Sequence, residues 1–440
     1  MTNTQAKSNY KSTDPRPHVI IIGGGAGGLM LATRLAKQTK KNKACRVTLV
    51  DESLTHIWKP LLHEIAAGTL NSYEDEISYL VHGAHNNYTF QLGRMTGVDR
   101  TEKKVFLDAV KGKQGHELIP ARELHYDYLV IATGSIGNDF GIPGVKENCA
   151  ILDTRANAEQ LHSRILGAYM ASQEAENPNN ISPLKISIIG GGATGVELAS
   201  ELCSSLPKLA KYGLKKQDLT INLIEAGPSL LPGQSETMIK VATDALKKMN
   251  INLYLNTMVT QVTENEVITK DKTIDSTITV WASGVKAPPI LSQMDGLETN
   301  RNNQIVAHRT LQSKTDDSIF TLGDSAEVIM PDGKRLTPRA QIAHQQALFL
   351  SNNLIRAINK ETLQEFEFKD MGSFVSLGAK NSVGTVLSFT NFNMQGIVAK
   401  WSYIMLYRRH QYELLGGYKT WILIIKDLMT RVLGPKLKLH

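Results

Sequence analysis

The chain contains few cysteines, and none of them is placed for disulfide or redox chemistry. Its 440 residues include only Cys45, Cys149 and Cys203. Their number is odd and they lie far apart, so they form neither a CxxC pair nor a disulfide framework. We therefore expect a reducing, cytosolic compartment. We expect no metal site, because His56 and His63 have no cysteine near them.

Long hydrophobic runs are also missing. The first 18 residues are polar and lack the apolar core of a signal peptide, which predicts a disordered tail at residues 1–17. The longest uncharged stretch, residues 381–399, is rich in Asn, Ser, Thr and Gly and has the spacing of a strand. No transmembrane helix is predicted, and the length and composition are typical of a folded protein with two or three domains.

Outside the C-terminal tail the chain has little net positive charge. Residues 396–440 hold eight Lys and Arg against two acidic residues, so they carry +6 of the net +7 and leave +1 for the rest. This favours contact of the tail with an anionic surface and argues against a nucleic-acid-binding body. Residues 418–433 place apolar side chains on one helical face, which predicts aromatic, basic helices in a membrane interface. The alternative is a helix that packs on its own domain or on a homodimer partner.

One motif occurs twice. HVIIIGGGAGGLMLATRL at residues 18–35 and KISIIGGGATGVELASEL at residues 185–202 each combine an apolar run, a glycine-rich turn and helical spacing. Each is followed by a second apolar run that ends in an acid, Asp51 in the first copy and Glu225 in the second. Two such βαβ units predict an α/β protein with two Rossmann-like dinucleotide-binding domains.

The two turns have G-x-G-x-x-G spacing, at Gly23, Gly25 and Gly28 and at Gly190, Gly192 and Gly195. The first glycine permits the tight turn, the second admits the pyrophosphate, and the third allows close packing of helix and strand. Glu225 would bond the ribose hydroxyls and repel a 2′-phosphate, so NADH is preferred over NADPH. Two nucleotide sites on one chain suggest a flavin that faces a nicotinamide, as hydride transfer requires.

Further motifs make the chain resemble a known family. YLVIATG at residues 128–134 and TLGDSA at residues 321–326 are similar to the flavoproteins with two dinucleotide-binding domains. More narrowly, the chain resembles bacterial type II NADH:quinone oxidoreductase in HIWKPLLHE (56–64), GGGATGVE (190–197), WASGVKAP (281–288), RAQIAHQ (339–345) and RVLGPKLKLH (431–440). The resemblance extends from about residue 18 to the last residue.

The resemblance implies a respiratory enzyme that passes hydride from NADH to FAD and reduces a membrane quinone by two electrons without pumping protons. The quinone, ubiquinone or menaquinone, stays open. A peripheral position on the cytoplasmic side of the bacterial inner membrane is implied as well. Glu197 would lie on the nicotinamide side of the flavin, and Gln341 and Gln345 on the quinone side. The implied FAD-binding residues are Gly23, Gly25, Ala26, Gly27, Gly28, Asp51, Lys59, Thr133, Gly134 and Asp324. The implied NADH-binding residues are Gly190, Gly192, Gly195, Glu197, Glu225 and Gly284.

The domain order follows from these motifs. We predict an FAD-binding domain built from residues 18–150 and 306–372, an NADH-binding domain at residues 151–305, and a C-terminal membrane-anchoring region at residues 373–440. A polar stretch at residues 174–183 separates the two glycine-rich halves. Helices are expected at residues 236–249 and 341–358, and strands around residues 374–389.

Several of these residues also have ordinary structural interpretations. Glu197 suits the first turn of a helix, where the dipole favours an acid. Gln341 and His344 suit a helix surface, and Lys380 is interpreted as a loop lysine. The cysteines argue against thiol–disulfide reductases and sulfide:quinone oxidoreductases, which need thiols at the flavin. Two other functions stay open: an NADH-dependent reductase of a redox protein, and a membrane scaffold that binds NADH without turnover.

Overall fold

The structure, a computed structural model, describes residues 14–40, 43–71, 73, 76–171, 183–212, 219–378, 382–386 and 392–433. Residues 1–13 of the predicted disordered tail, most of the polar stretch at residues 174–183, Lys380 and the last seven residues lie outside this description.

The helices and strands of the described residues follow in chain order. The α-helices are α1 Ala26–Thr39, α2 Leu62–Ala66, α3 Tyr79–Asn86, α4 Val145–Asn148, α5 Arg155–Ala171, α6 Ala193–Ser205, α7 Glu236–Lys248, α8 Ala340–Ile358, α9 Gly396–Leu415 and α10 Gly417–Leu433. Short 3-10 helices span Lys59–Leu61, Leu206–Tyr212, Pro289–Gln293 and Gly323–Ser325. The strands of the first half are β1 His18–Ile22, β2 Arg46–Asp51, β3 Thr55–His56, β4 Ile77–Ser78, β5 Thr89–Leu92, β6 Met95–Asp99, β7 Lys104–Leu107, β8 Val110–Lys111, β9 Glu117–Ile119, β10 Arg122–His125, β11 Tyr128–Ile131, β12 Ile136–Gly137 and β13 Cys149–Ile151. Those of the second half are β14 Leu184–Ile189, β15 Leu219–Ile224, β16 Asn252–Tyr254, β17 Val259–Val262, β18 Glu266–Thr269, β19 Thr273–Asp275, β20 Ile278–Trp281, β21 Val285–Lys286, β22 Ile305–Ala307, β23 Ile319–Thr321, β24 Ala326–Val328, β25 Gly372–Ser376, β26 Ser382–Val386 and β27 Phe392–Gln395.

The first of two compact units comprises Met1–Ile57, Glu76–Ile136 and Lys286–Phe368. Its main sheet has the order β23-β11-β1-β2-β5, and every neighbouring pair is parallel. Strands β1 and β11 are buried apolar runs, as expected for a parallel sheet that is covered on both faces. The strand order reverses at β1, so the carboxyl end of β1 is where such a sheet binds a ligand.

The second unit comprises Trp58–Asp75, Gly137–Val285 and Lys369–His440. Its main sheet has the order β13-β20-β14-β15-β16 and is also parallel throughout. Here the strand order reverses at β14, the strand that precedes the second glycine-rich turn. The two parallel sheets confirm the predicted α/β class with two Rossmann-like folds.

The limits of the compact units differ from the domain limits that we predicted. The first unit ends at Ile136 rather than at residue 150, because β13 pairs with β20 in the sheet of the second unit. The first unit resumes at Lys286 rather than at residue 306, because Ala287 and Leu291 belong to its apolar core. The segment Trp58–Asp75 belongs to the second unit. The fold alone does not assign FAD or NADH to either unit.

The C-terminal part of the second unit combines a small sheet with two helices. Strands β25, β26 and β27 form an antiparallel sheet, and α9 and α10 follow. Among the described residues, none of the helices is both long enough and apolar enough to cross a bilayer. Large apolar side chains of α9 and α10 are nevertheless exposed: Met405, Leu406, Tyr412, Tyr418, Trp421, Ile422, Ile425 and Met429.

Candidate active site

The first glycine-rich turn joins β1 to α1 through backbone contacts that exclude side chains. Gly23 has a φ of +102°, and a Cβ on it would lie 2.3 Å from the carbonyl oxygen of Ala132. A Cβ on Gly28 would lie 1.8 Å from the carbonyl oxygen of Gly23. No described atom lies within 4 Å of the place where a Cβ on Gly25 would stand. The turn is therefore closed on the strand side and open where a phosphate would approach the start of α1.

Side chains bond both the amide and the carbonyl of Gly24 in this turn. Asp51 Oδ2 accepts a hydrogen bond from the Gly24 amide at 2.6 Å. The Gly24 carbonyl accepts bonds from the Tyr79 hydroxyl at 2.7 Å and from His56 Nδ1 at 2.9 Å. Burial lowers the pKa of His56 to about 4, so its ring is neutral near pH 7 and Nδ1 carries the donated proton. Neither His56 nor Tyr79 was assigned to this turn from the sequence, because nothing local in the sequence indicates the contact.

Strand β11 and the turn at Asp324 supply polar groups to the same unit. The hydroxyl oxygen of Thr133 is buried, and no described group bonds to it. Gly134 has a φ of +70° and no described atom within 4 Å of its Cβ position. Ser135 Oγ donates to Asp324 Oδ2 at 2.6 Å. The first unit thus brings Thr133, Gly134 and Asp324 together with the sheet edge that bears the glycine turn.

Helix α8 begins beside the turn that carries Asp324. The side chain of Gln346, which is buried, accepts a bond from the Gly323 amide at 2.7 Å. Gln341 is half-buried, and its Nε2 atom is buried without a partner among the described residues. Gln341 is therefore not an exposed residue on the surface of the helix, as its ordinary structural interpretation would require. His344 and Gln345 are half-buried as well. Gln346 was not predicted from the sequence, although its side chain fixes the position of the Asp324 turn.

The second glycine-rich turn repeats the geometry of the first. Gly190 has a φ of +118°, and its Cβ would lie 2.6 Å from the carbonyl oxygen of Ala282. A Cβ on Gly195 would lie 2.0 Å from the carbonyl oxygen of Gly190, while the same position on Gly192 is open. Glu225 accepts bonds from the Gly191 amide at 2.6 Å and from the Gly227 amide at 2.7 Å. The predicted ribose acid is therefore held at the carboxyl end of β15.

Glu197 is buried in the second unit and held from two sides. It is the fifth residue of α6, so it lies beyond the first turn, and its residue exposure is 6%. Its Oε1 accepts a bond from the Ser376 amide of β25 at 2.9 Å. His63 Nδ1 of α2 lies 3.5 Å from its Oε2. The interpretation of Glu197 as an ordinary first-turn acid does not fit this position.

Two further predicted residues lie in the second unit. Gly284 follows β20 with a φ of +67°, and a Cβ on it would lie 2.3 Å from the ring of Phe140. Lys59, which we predicted at the FAD, begins a one-turn 3-10 helix and has an exposed side chain. Its segment belongs to the second unit and not to the unit of the first glycine turn.

The three cysteines have environments that disfavour redox chemistry. Burial raises the pKa of Cys45 to about 11 and that of Cys149 to about 12. Burial also raises the pKa of Cys203, whose Sγ lies 3.3 Å from the Met249 carbonyl oxygen. The reactive form of cysteine is the thiolate, so all three are poor nucleophiles at neutral pH.

Comparison with known proteins agrees with this geometry. The pyridine nucleotide-disulphide oxidoreductase family matches residues 17–347. The type II NADH:quinone oxidoreductase of Haemophilus influenzae is 41% identical over 442 residues, which cover 96% of this chain and 100% of that protein. The Staphylococcus aureus enzyme of the same name is 31% identical over 84% of this chain and 90% of its own length. Among solved structures, NDH2 from Plasmodium falciparum in complex with NADH has a TM-score of 0.82 at 20% identity, over 96% of this chain and 100% of that one. The chain belongs to the pyridine nucleotide-disulphide oxidoreductases and, among them, to the type II NADH:quinone oxidoreductase family.

Proposed function

We propose that the chain is an FAD-dependent NADH:quinone oxidoreductase that does not pump protons. One observation carries the proposal: a chain of this family holds two complete dinucleotide turns, each with an open middle glycine and an acid at the next strand end. Hydride transfer needs two such ligands, one for the flavin and one for the nicotinamide.

The test is steady-state NADH oxidation with a short-chain quinone, compared with oxygen and with a redox protein as acceptors. Turnover that is fastest with the quinone supports the proposal. Preference for a protein acceptor would favour a reductase of a redox partner instead. Binding of both nucleotides without turnover with any acceptor would favour a scaffold.

The first unit has the groups that an FAD would need. The open position at Gly25 and the helix start behind it suit the pyrophosphate, and Asp51 suits the adenosine ribose. Gly134, Asp324 and the buried Thr133 hydroxyl face the same sheet edge and suit the remaining part of the flavin nucleotide. When bound, FAD supplies a hydride acceptor that can pass two electrons on. The lack of a described partner for Thr133 Oγ1 supports this assignment, because buried hydroxyls are usually hydrogen-bonded.

The second unit has the corresponding groups for NADH. Gly192 is open toward a pyrophosphate, and Glu225 is fixed at the strand end where ribose hydroxyls bind. The fixed carboxylate would repel the 2′-phosphate of NADPH. Glu197 would border the nicotinamide side of the flavin, where its buried carboxylate and His63 can hold or move a proton.

Gln341 and Gln345 are proposed to contact the quinone. The buried, unbonded Nε2 atom of Gln341 is a donor without an acceptor among the described residues, and a quinone carbonyl is an acceptor. Replacing Gln341 by Leu should slow oxidation of the reduced flavin by quinone and leave flavin reduction by NADH nearly intact. Stopped-flow absorbance separates the two half-reactions. Equal slowing of both would remove Gln341 from the quinone side.

We further propose that α9 and α10 attach the protein to the cytoplasmic side of the membrane. Trp421 and Ile425 are 66% and 47% exposed, and Lys419 is exposed between them and Tyr418. Aromatic, aliphatic and basic side chains on one pair of helices suit the headgroup region of an anionic bilayer. Arg408 does not belong to this surface, because it is 8% exposed and pairs with Asp427.

The membrane proposal can be tested with vesicles that contain phosphatidylglycerol. The double variant W421S/I425S should lose binding, and K419Q/K426Q should weaken it in a salt-dependent way. The matched control is L118S, because Leu118 is 60% exposed but lies on β9 of the first unit. If W421S/I425S binds vesicles like the control and instead changes the mass in solution, the helices serve a homodimer contact.

A further inference from the structure

A phenylalanine occupies a turn position that its side chain does not favour. Phe140 and Gly141 have φ values of +51° and +70°, and the Ile142 amide donates to the Asp139 carbonyl at 3.0 Å. Two successive positive φ angles closed by this bond define a type I′ turn. Such turns favour Asn, Asp or Gly at the position of Phe140, so a bulky side chain there carries backbone strain. Strain of this kind is often retained where a side chain serves binding or catalysis.

The ring of Phe140 is exposed and held against one short segment. The residue is 60% exposed, and its ring would be 2.3 Å from a Cβ on Gly284. Its ring centroid lies 6.4 Å from that of Trp281, the last residue of β20. Asn138 fixes the approach, because its amide donates to the Gly284 carbonyl at 3.2 Å and its carbonyl accepts from Trp281 Nε1 at 2.8 Å.

This segment lies at the ligand-binding edge of the second sheet. Strand β14 ends in the glycine turn, β15 lies on one side of it and β20 on the other. Glu225 at the end of β15 marks the adenosine ribose side. The Ala282 carbonyl oxygen would lie only 2.6 Å from a Cβ on Gly190, so the segment after β20 touches the turn itself. A dinucleotide that starts at Glu225 and crosses the glycine turn therefore extends its second half toward Gly284.

We infer that Phe140 is an NADH-binding residue whose exposed ring contacts the nicotinamide riboside half and sets the position of that half. The inference rests on the proposed function of the second unit. An aromatic face offers apolar contact and stacking to a planar ring, and close packing on Gly284 leaves no room for a side chain between them. Phe140 thus acts on how firmly and in what orientation the nicotinamide half is held, and Glu225 acts on the adenosine half.

The test uses a substitution that suits the turn better than the native residue does. F140N keeps a type I′ turn and removes the ring, so it should not lower the melting temperature of the FAD-loaded protein. Calorimetry should show NAD⁺ binding weakened about tenfold, the usual scale for loss of one aromatic contact. Binding of ADP-ribose, which lacks the nicotinamide, should stay unchanged. F140Y should retain the affinity of the wild type, and F106A, on β7 of the first unit, is the control for loss of a partly exposed ring.

The outcomes separate this inference from the proposed function. If F140N binds NAD⁺ as tightly as the wild type, or loses NAD⁺ and ADP-ribose equally, Phe140 does not contact the nicotinamide half. If the wild type binds NAD⁺ and F140N behaves as expected, yet no quinone is reduced, the inference stands and the proposed function fails. A wild type that does not bind NAD⁺ overturns both.

Discussion

The two glycine-rich turns have similar backbone conformations, but the groups that surround them differ. In both, the central amide donates to an acid at the next strand end, at 2.6 Å from Gly24 to Asp51 and 2.6 Å from Gly191 to Glu225. The carbonyl of Gly24 is held by the side chains of Tyr79 and His56. The carbonyl of Gly191 instead accepts the Leu231 amide at 2.8 Å. The carbonyl of the first turn is therefore held by side chains and that of the second by a backbone amide, and in both cases the partner comes from a segment distant in the sequence.

The helices that follow the turns differ at one buried position. Met30 and Glu197 each stand two residues after the third glycine, and they are 2% and 6% exposed. The shared motif accepts an apolar side chain at this position, so it does not require the carboxylate of Glu197. Burying a carboxylate is costly unless it is paired, and here Ser376 and His63 supply the partners. Comparison of the two copies thus indicates that the carboxylate of Glu197 has a role other than forming or packing the helix.

The largest effect should come from adding one methyl group to the third glycine of either turn. G28A places a Cβ 1.8 Å from a backbone oxygen, so the turn must shift. We expect loss of FAD and a cost of roughly 3 kcal/mol in the free energy of unfolding. G195A, with a Cβ at 2.0 Å, should retain FAD and lose flavin reduction by NADH. Flavin absorbance and stopped-flow kinetics measure both.

The controls are G25A and G192A, whose Cβ positions have no described atom within 4 Å. They should leave the fold intact and affect only ligand binding. A G195A protein that loses FAD while G28A retains it would reverse the assignment of the two sites.

Exchanging the residues at the equivalent helix position should have the next largest effect. E197M should lower turnover with quinone about a hundredfold, the usual scale for a group that handles protons. It removes a buried charge but leaves the Ser376 amide without its acceptor, so the melting temperature should fall as well. The reciprocal M30E buries a carboxylate in the first unit and should destabilise the protein. Turnover assays and thermal unfolding measure these changes. Wild-type turnover in E197M would leave Glu197 with a structural role only.

Acid should affect the first turn more than the second. The pKa of His56 is lowered from 6.5 to about 4, so the folded state favours the neutral ring. The contribution of neutral His56 to the free energy of unfolding is fully present above pH 6.5 and is lost as the pH falls to about 4. At pH 5 the loss is about 2 kcal/mol, because the unfolded state then binds the proton more readily. Urea unfolding at pH 7 and pH 5 should show a smaller difference for H56N than for the wild type.

The matched control for His56 is His18. Burial lowers the pKa of His18 to about 4 as well, but its ring contacts the His125 carbonyl and the Thr48 hydroxyl. H18N should therefore change acid stability without changing FAD retention at pH 5, whereas H56N, which alters the contact with the Gly24 carbonyl, should lower FAD retention. Equal effects of both variants on FAD retention would show that the contact at Gly24 is not what matters.

The smallest effect concerns the acid of the second turn. E225Q keeps an acceptor oxygen for the Gly191 amide, loses the one for the Gly227 amide and removes the charge that would repel a 2′-phosphate. We expect the preference for NADH over NADPH to fall about tenfold, measured as the ratio of kcat/KM values. D51N is the paired variant in the first turn and should leave this ratio unchanged. An unchanged ratio in E225Q would place the discrimination elsewhere.

Local patterns in the sequence predicted the two turns, the acids that follow them and helices α7 and α8, because each is defined by residues that lie near one another in the sequence. Helices α7 and α8 lie within two residues of the predicted limits. Contacts between distant segments were not predictable. Nothing near His56 indicates that its ring bonds Gly24, and nothing near Cys149 indicates that its strand pairs with β20. In the same way, nothing in the sequence of α8 distinguishes Gln346 from the glutamines before it, and its bond to the Gly323 amide is seen only in the fold.

The discontinuity of the two units sets an order of events during synthesis. Strand β23 at the edge of the first sheet and helix α8, which packs on α1, come from the last third of the chain. The first unit therefore cannot close until its last segment, Lys286–Phe368, has followed the long segment Gly137–Val285 of the second unit out of the ribosome, although its glycine turn lies before residue 30. The exposed apolar strands of the nascent chain must wait for some 300 further residues, at about 5–20 residues per second. Until then we expect the unfinished first unit to expose apolar surface that chaperones can bind, and we expect it to bind FAD only after Lys286–Phe368 has been made.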